Sequence, residues 1–178
     1  MNHKRSKTIR IMAISPSTRG FGYAVLDGGT TLVDWGVKTV KGREKNAPSL
    51  LRAEQLMAQY LPDILVLMNY TGSRRAQRIR DLGQEIGAVA TKRKIKVRRF
   101  TRNQIKQAFR LDRKGTRYEL AEKLSGLFPE ELGNRLPPRR RAWMSEDSRM
   151  DIFDAVALGL TARPKAGKSS AEVGEVRN

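Results

Sequence analysis

The chain has 178 residues, with no cysteine and one histidine, His3. A disulfide framework, a zinc ribbon and a thiol nucleophile are therefore excluded, and a histidine near the basic N-terminus is a poor general base. The 36 lysines and arginines against 18 acidic residues give a formal net charge of +18. Any chemistry must use carboxylates, hydroxyls, lysines or a bound metal.

The positive charge is concentrated in the middle of the chain. Residues 73–118 carry 16 basic and three acidic residues, a net charge of +13. Such an excess costs self-repulsion and favours a polyanionic partner, with nucleic acid ahead of an anionic membrane surface. No apolar run approaches the roughly 18 residues of a membrane span, which predicts a soluble cytoplasmic protein without a membrane partner.

Hydropathy periodicity predicts three strands in a meander, followed by helices that alternate with two further strands. The predicted strands are 9–14, 23–26, 31–40, 64–68 and 94–100. The predicted helices are 48–60, 73–93, 101–109, 117–128 and 150–162. A tight, hydroxyl-rich turn after the first strand can present backbone N–H groups to a phosphate. Gly83 and Gly87, one turn apart, predict close packing against another helix, either of this chain or of a second subunit.

These elements predict one α/β domain over residues 9–162. Residues 1–8 are predicted to be a flexible basic arm, and 163–178 a disordered tail. Pro137-Pro138 cannot continue a helix, which predicts that 129–149 is a polar loop insertion.

Asp151 and Asp154 are the strongest candidates for chemistry. They lie three residues apart on a helix that is otherwise nearly all apolar, so both carboxylates project from one face of a mostly buried helix. Buried acids need a nearby cation. That cation is either a divalent metal ion bound by the carboxylate oxygens or an arginine in a salt bridge. A third interpretation is that Asp151 caps the N-terminus of the helix.

Five segments, in order, resemble the RuvC-type Holliday junction resolvases of the RNase H-like superfamily. They are IMAISPSTRGFGYAV at 11–25, PDILVLM at 62–68, LGQEIG at 82–87, NQIKQ at 103–107 and DIFDAVAL at 151–158. The resemblance spans residues 9–162. It implies an RNase H-like α/β fold, in which three antiparallel strands and two parallel strands form a five-stranded mixed sheet flanked by helices.

The resemblance also implies a site of four carboxylates holding two metal ions, with two acids from strand ends and two from the last helix. The strand positions are Ser15 and Met68 here, or Asn69 if the register shifts by one. Neither serine nor methionine supplies an anionic oxygen, and a thioether is a poor ligand for Mg²⁺. Asp151 and Asp154 remain as catalytic and metal ligands, which predicts little or no nuclease activity.

The residues that would hold nucleic acid are better preserved. Lys106 and Arg117 occupy positions where the family places basic residues against the phosphodiester. Tyr70 either stacks on an unpaired base or covers the sheet edge. Trp143, beside three arginines at 139–141, is either a further contact or an anchor for the insertion. The same basic face includes Arg74, Arg75, Arg78, Arg113 and Lys114.

Three hypotheses follow. The first is a homodimeric RuvC-like protein that binds branched DNA with impaired or absent cleavage. The second is an active structure-specific endonuclease that uses Mg²⁺ or Mn²⁺ with Asp151, Asp154 and a loop acid such as Asp147. The third is an RNA-binding or ribosome-associated protein that uses the fold as a basic platform.

Overall fold

The computed structural model describes residues 8–163, so most of the predicted arm and tail lie outside the described residues. The strands are β1 (Arg10–Ser17), β2 (Gly20–Asp27), β3 (Thr31–Thr39), β4 (Ile64–Met68) and β5 (Lys96–Phe100). The helices are α1 (Asn46–Tyr60), α2 (Gln77–Lys92), α3 (Arg102–Ala108), α4 (Arg117–Leu127), α5 (Pro129–Leu132) and α6 (Met150–Thr161). A 3₁₀ turn, Gly133–Arg135, follows α5.

The five strands form one mixed sheet in the order β3-β2-β1-β4-β5. The first three strands pair antiparallel as a meander, whereas β4 is parallel to β1 and β5 is parallel to β4. This confirms the predicted sheet. None of the helices in residues 8–163 has the length and apolarity that a bilayer span requires.

Both faces of the sheet are covered. Alternate residues of β1 divide between them: Ile11 and Ala13 pack with α4 and α6, while Met12 and Ile14 pack with α1 and α2. The period of two along a strand produces this division. The central strand is therefore apolar on both sides, as its sequence predicts.

Glycine allows α6 to lie directly on the sheet. A Cβ atom added to Gly22 of β2 would stand 2.0 Å from the carbonyl oxygen of Asp151. One added to Gly159 of α6 would stand 2.4 Å from Cδ1 of Leu26. The absence of a side chain at Gly22 thus sets how close the two acids of α6 come to the end of β1.

Several predicted boundaries were wrong. β1 continues through Ser17, and Gly20 and Gly22 belong to β2, so the turn between them is only Thr18-Arg19. The long helix begins at Gln77, which leaves Arg74 and Arg75 in the preceding loop. The insertion 129–149 is helical at its start, because Pro129 suits the first turn of α5.

Within residues 8–163, the glycines of α2 face the sheet edge and not another helix, while packing against a second subunit stays a prediction. The nearest atoms to a Cβ on Gly83 belong to the Tyr70 ring, at 3.5 Å. A Cβ on Gly87 would stand 2.4 Å from Nη2 of Arg99, a β5 residue. These two positions therefore make room for large side chains at the sheet edge.

Candidate functional site

The candidate site lies where the carboxyl ends of β1 and β4 meet the start of α6. Ser15, Met68 and Asp154, from three separate elements, line one cleft of about 260 Å³. Its other lining residues are Asn69, Tyr70, Thr71, Gly72, Ser73, Arg75, Thr101, Arg102 and Asn103. Of the positions that the sequence singled out, the cleft therefore brings together Ser15, Met68, Asn69, Tyr70, Arg75 and Asp154.

The cation beside the two acids is Arg117. Its Nη2 lies 2.8 Å from Oδ1 of Asp151 and 2.6 Å from Oδ2 of Asp154, and its Nε donates to the same Asp154 oxygen at 2.9 Å. Its Nη1 lies 2.9 Å from Oε1 of Glu146. Every nitrogen of the guanidinium faces a carboxylate. We call Arg117, Glu146, Asp151 and Asp154 the acid–arginine cluster.

Local sequence fixes where this arginine stands. Thr116 caps α4: its hydroxyl accepts from the backbone N–H of Glu119, and the Glu119 carboxylate accepts from the backbone N–H of Thr116. This capping box makes Arg117 the first residue of α4. A cation at a helix N-terminus opposes the helix dipole. The position is therefore favourable only because Asp151, in the first turn of α6, and its neighbours supply the opposite charge.

The cluster is buried. Asp151 and Asp154 are 7% and 8% exposed, and the side chain of Arg117 is 17% exposed. Burial raises the pKa of the Asp151 carboxyl, and the Ser17 hydroxyl and Arg117 offset this only in part. Burial alone would lower the pKa of Arg117, but Asp154, with Glu146 and Asp151, raises it above its ordinary value. The guanidinium therefore stays charged.

The residues at this site do not fit a pair of divalent metal ions. Ser15, near the end of β1, and Met68, at the end of β4, supply a hydroxyl and a thioether where hard cations need anionic oxygens. Both helix acids are already paired with Arg117. Across residues 8–163 no group of three or more histidine, cysteine or acidic side chains is placed to hold a metal ion.

The loop acids offer no vacant replacement ligand. Glu146 is bonded to Arg117 and lies 3.5 Å from Nη1 of Arg140. Asp147 forms a bidentate pair with Arg149, whose Nε and Nη2 approach its two oxygens at 3.0 and 2.7 Å. The pairing with Arg149 lowers the pKa of Asp147. Recruiting either acid to a metal would require breaking these pairs.

Several of the predicted nucleic-acid-binding side chains are engaged within the protein. Arg78 donates to the carbonyl oxygens of Ser17 and Thr18 at 3.2 and 3.1 Å, so it supports the β1–β2 turn. Lys106 donates to the carbonyl oxygen of Arg113 at 2.8 Å. The predicted phosphate contact of Arg117 remains a prediction, although its guanidinium is surrounded by acids.

Other basic side chains are open to solvent. Arg74, Arg113 and Lys114 are exposed, and Arg75 lines the cleft. Arg102, at the start of α3, lines the same cleft and was not predicted. The sequence did contain a signal for the position of Arg102: Thr101 and Gln104 form the capping box that begins α3, which makes Arg102 its first residue.

Tyr70 lies between the sheet edge and the cleft. Its ring packs over Gly83 and is partly buried, and burial raises its pKa to about 12. It also lines the cleft beside Asn69. It therefore covers the sheet edge, while stacking on a base remains a prediction.

The strand order and the helices on both faces define an RNase H-like fold. No protein-family model and no curated protein matches the sequence. Among solved structures, the chain is similar to Thermus thermophilus RuvC in complex with a Holliday junction substrate, at 16% identity and a TM-score of 0.62, covering 86% of this chain and 91% of that one. A second Thermus thermophilus RuvC structure matches at 16% identity and a TM-score of 0.61, with 86% and 92% covered. The fold is thus that of RuvC-type resolvases, as the sequence motifs predicted.

Proposed function

We propose that this chain binds branched DNA of the four-way-junction type and does not hydrolyse it through a two-metal centre. The observation that carries the proposal is the acid–arginine cluster, which places a guanidinium against both helix acids. The likeness in fold to a RuvC structure that contains a Holliday junction substrate supports the DNA part.

The electrostatics of the site favour binding over cleavage. Arg75 and Arg102 line the cleft, and Arg74, Arg113 and Lys114 are exposed in the same stretch of chain. With about six to ten phosphate contacts, raising the salt concentration from about 50 to 200 mM would lower the affinity for DNA by about 10³- to 10⁵-fold. Hydrolysis in this fold depends on anionic ligands that Ser15 and Met68 do not supply.

The test compares a labelled four-way junction, a duplex of equal length and a structured RNA at matched salt. We expect the junction to bind most tightly and to remain intact with Mg²⁺ or Mn²⁺. A clear preference for RNA would support the RNA-binding hypothesis instead. Paired nicking that Asp154→Asn abolishes would establish an active endonuclease with an altered ligand set.

A matched pair of lysine variants locates the binding face. Lys114→Ala removes an exposed charge from the loop before α4, whereas Lys96→Ala removes one at the beginning of β5, roughly 15 Å along the sheet from the carboxyl ends. We expect Lys114→Ala to weaken junction binding and reduce the salt slope by about one, with Lys96→Ala near wild type. Equal losses would indicate nonspecific attraction to a polyanion.

A further inference from the structure

The second half of the insertion forms a loop that is held at both ends. We call residues 136–149 the arginine–tryptophan loop. Near its start, the Tyr118 hydroxyl donates to the carbonyl oxygen of Pro137 at 3.1 Å. Near its end, Glu146 lies 2.9 Å from Arg117. Both contacts are with the beginning of α4, so the loop is fixed beside the acid–arginine cluster.

The tip of this loop exposes an indole. The backbone N–H of Met144 donates to the carbonyl oxygen of Arg141 at 3.0 Å, and this turn places Trp143 at its outer end. Trp143 is 77% exposed, whereas the other tryptophan, Trp35, packs against the core. Trp143 therefore does not anchor the insertion, which was one of the two interpretations from sequence.

One arginine lies beside the exposed ring, and two more precede it in the chain. The guanidinium carbon of Arg141 lies 5.4 Å from the centroid of the Trp143 ring, and no acid in residues 8–163 forms a salt bridge with Arg141. Arg139, 70% exposed at the side chain, lies over the Tyr118 ring and 3.5 Å from Glu122. Arg140, 49% exposed, lies 3.5 Å from Glu146, so both arginines are held by exposed ion pairs that contribute little. Arg140 and Arg19, from the β1–β2 turn, line a second cleft of about 370 Å³ that also contains Met144.

An exposed aromatic ring beside one arginine, on a loop that carries two more, has the chemistry of a stacking site for unpaired bases. The ring offers a face for any base, and the guanidinium groups attract the flanking phosphates. A buried core role is excluded by the exposure of Trp143, and an acidic protein partner would have no need for the ring. The charge and the aromatic group together favour single-stranded nucleic acid.

We propose that Trp143 stacks on an unpaired base of branched DNA while Arg139, Arg140 and Arg141 contact the adjoining backbone. This inference rests on the proposed function, because it assigns the part of the branched DNA that the arginine–tryptophan loop contacts. The loop shares no lining residue with the cleft beside Tyr70, so the proposal assigns unpaired nucleotides to a second contact site.

The first experiment follows tryptophan fluorescence in a Trp35→Phe background, where Trp143 is the remaining indole. Addition of a short deoxythymidine oligonucleotide should quench this emission, because the indole stacks on the base. The probe requires no junction, so it tests the loop independently of the proposed function. Unchanged emission at oligonucleotide concentrations that saturate binding would overturn the proposal.

The second experiment measures affinity for two four-way junctions, one fully paired and one with unpaired nucleotides at the branch point. Trp143→Ala should lower affinity for the second junction by about 5- to 150-fold, the range found when a stacked base loses its aromatic partner. Trp143→Phe should retain most of the affinity. Leu127→Ala is the matched control, since Leu127 is an exposed apolar residue, 61% accessible, at the end of α4.

The outcomes separate the two proposals. If neither junction binds but the oligonucleotide still quenches Trp143, the proposed function is wrong and the loop remains a single-strand site. If both junctions bind and Trp143→Ala lowers neither affinity, the loop proposal is wrong and the proposed function stands. An equal loss on both junctions would also contradict a contact to unpaired bases.

Discussion

Replacing Arg117 by methionine tests whether the acid–arginine cluster is a structural substitute for metal ions. The substitution keeps an unbranched side chain but leaves Asp151 and Asp154, each under 10% exposed, without their cation. Removing one partner of a buried ion pair costs about 3–5 kcal/mol. For a domain of this size, each kcal/mol lowers the melting temperature by about 2–4 °C. We therefore expect a decrease of about 6–20 °C.

Thermal and urea unfolding, with and without Mg²⁺, measure this effect. Arg140→Met is the matched control, because Arg140 also pairs with Glu146 but is 49% exposed, and exposed pairs contribute about 0–1 kcal/mol. The wild-type melting temperature should not respond to Mg²⁺ beyond the effect of ionic strength. Arg117→Met should recover part of its loss in Mg²⁺, because the carboxylate pair, without its guanidinium, can then bind the ion.

Two results would refute the reasoning. If Arg117→Met destabilised the protein no more than Arg140→Met does, the buried cluster would not be the energetic unit described above. If wild type gained stability from millimolar Mg²⁺ and the variant did not, the guanidinium would be aiding metal binding instead of replacing it. Adding Asp151→Asn and Asp154→Asn to the variant should restore stability, since no uncompensated charge then remains.

Two further predictions concern the sheet: the contact between Gly22 and α6, and the pair formed by Arg10 and Asp27. Gly22→Ala should destabilise the protein by about 1–3 kcal/mol, because its Cβ would meet the Asp151 carbonyl and displace α6. The control is Gly126→Ala in α4, which has open space around it and should stabilise the protein by about 0.5–1 kcal/mol. Equal melting temperatures for these two variants would contradict the close approach of α6 to β2. The hydrogen bond from Arg10 lowers the pKa of the Asp27 carboxyl in the folded protein below its ordinary value of 3.8. The Arg10–Asp27 pair therefore stabilises the fold fully above pH 3.8, and this stabilisation is lost as the pH falls through the folded-state pKa. Urea midpoints should therefore decline less steeply toward pH 3 in Asp27→Asn than in wild type, and parallel declines would count against the pair.

The fold was largely predictable because the core strands are apolar in an unambiguous way. β1 and β4 present runs that suit burial on both faces, and all five strands were identified. The end of β1 was misjudged because Ser15, Pro16 and Ser17 have turn composition. Pairing with β4 ends at Ile14, while pairing with β2 continues to Ser17. Pro16 is thus tolerated where the strand has lost its neighbour on one side.

The candidate site was predictable only in part. The sequence indicated that two acids on an apolar helix need a cation, but it could not decide between a metal ion and an arginine. Arg117 lies 34 and 37 residues before the acids, and the resemblance singled it out for a phosphodiester contact, not as their partner. The capping box at Thr116 predicts a helix start, yet only the packing of α4 against α6 shows where its first side chain lies.

The capping box at Thr116 has a consequence for how DNA can approach. Because it fixes Arg117 beside Asp151 and Asp154, a phosphate that sought this guanidinium would have to displace carboxylates attached to the same fold. Such tethered groups act at a high effective concentration and need no ordering on binding. A dissolved or DNA-borne anion is a weak competitor by comparison. The strand should therefore follow the rim, past Arg75 and Arg102, and leave the buried charges undisturbed.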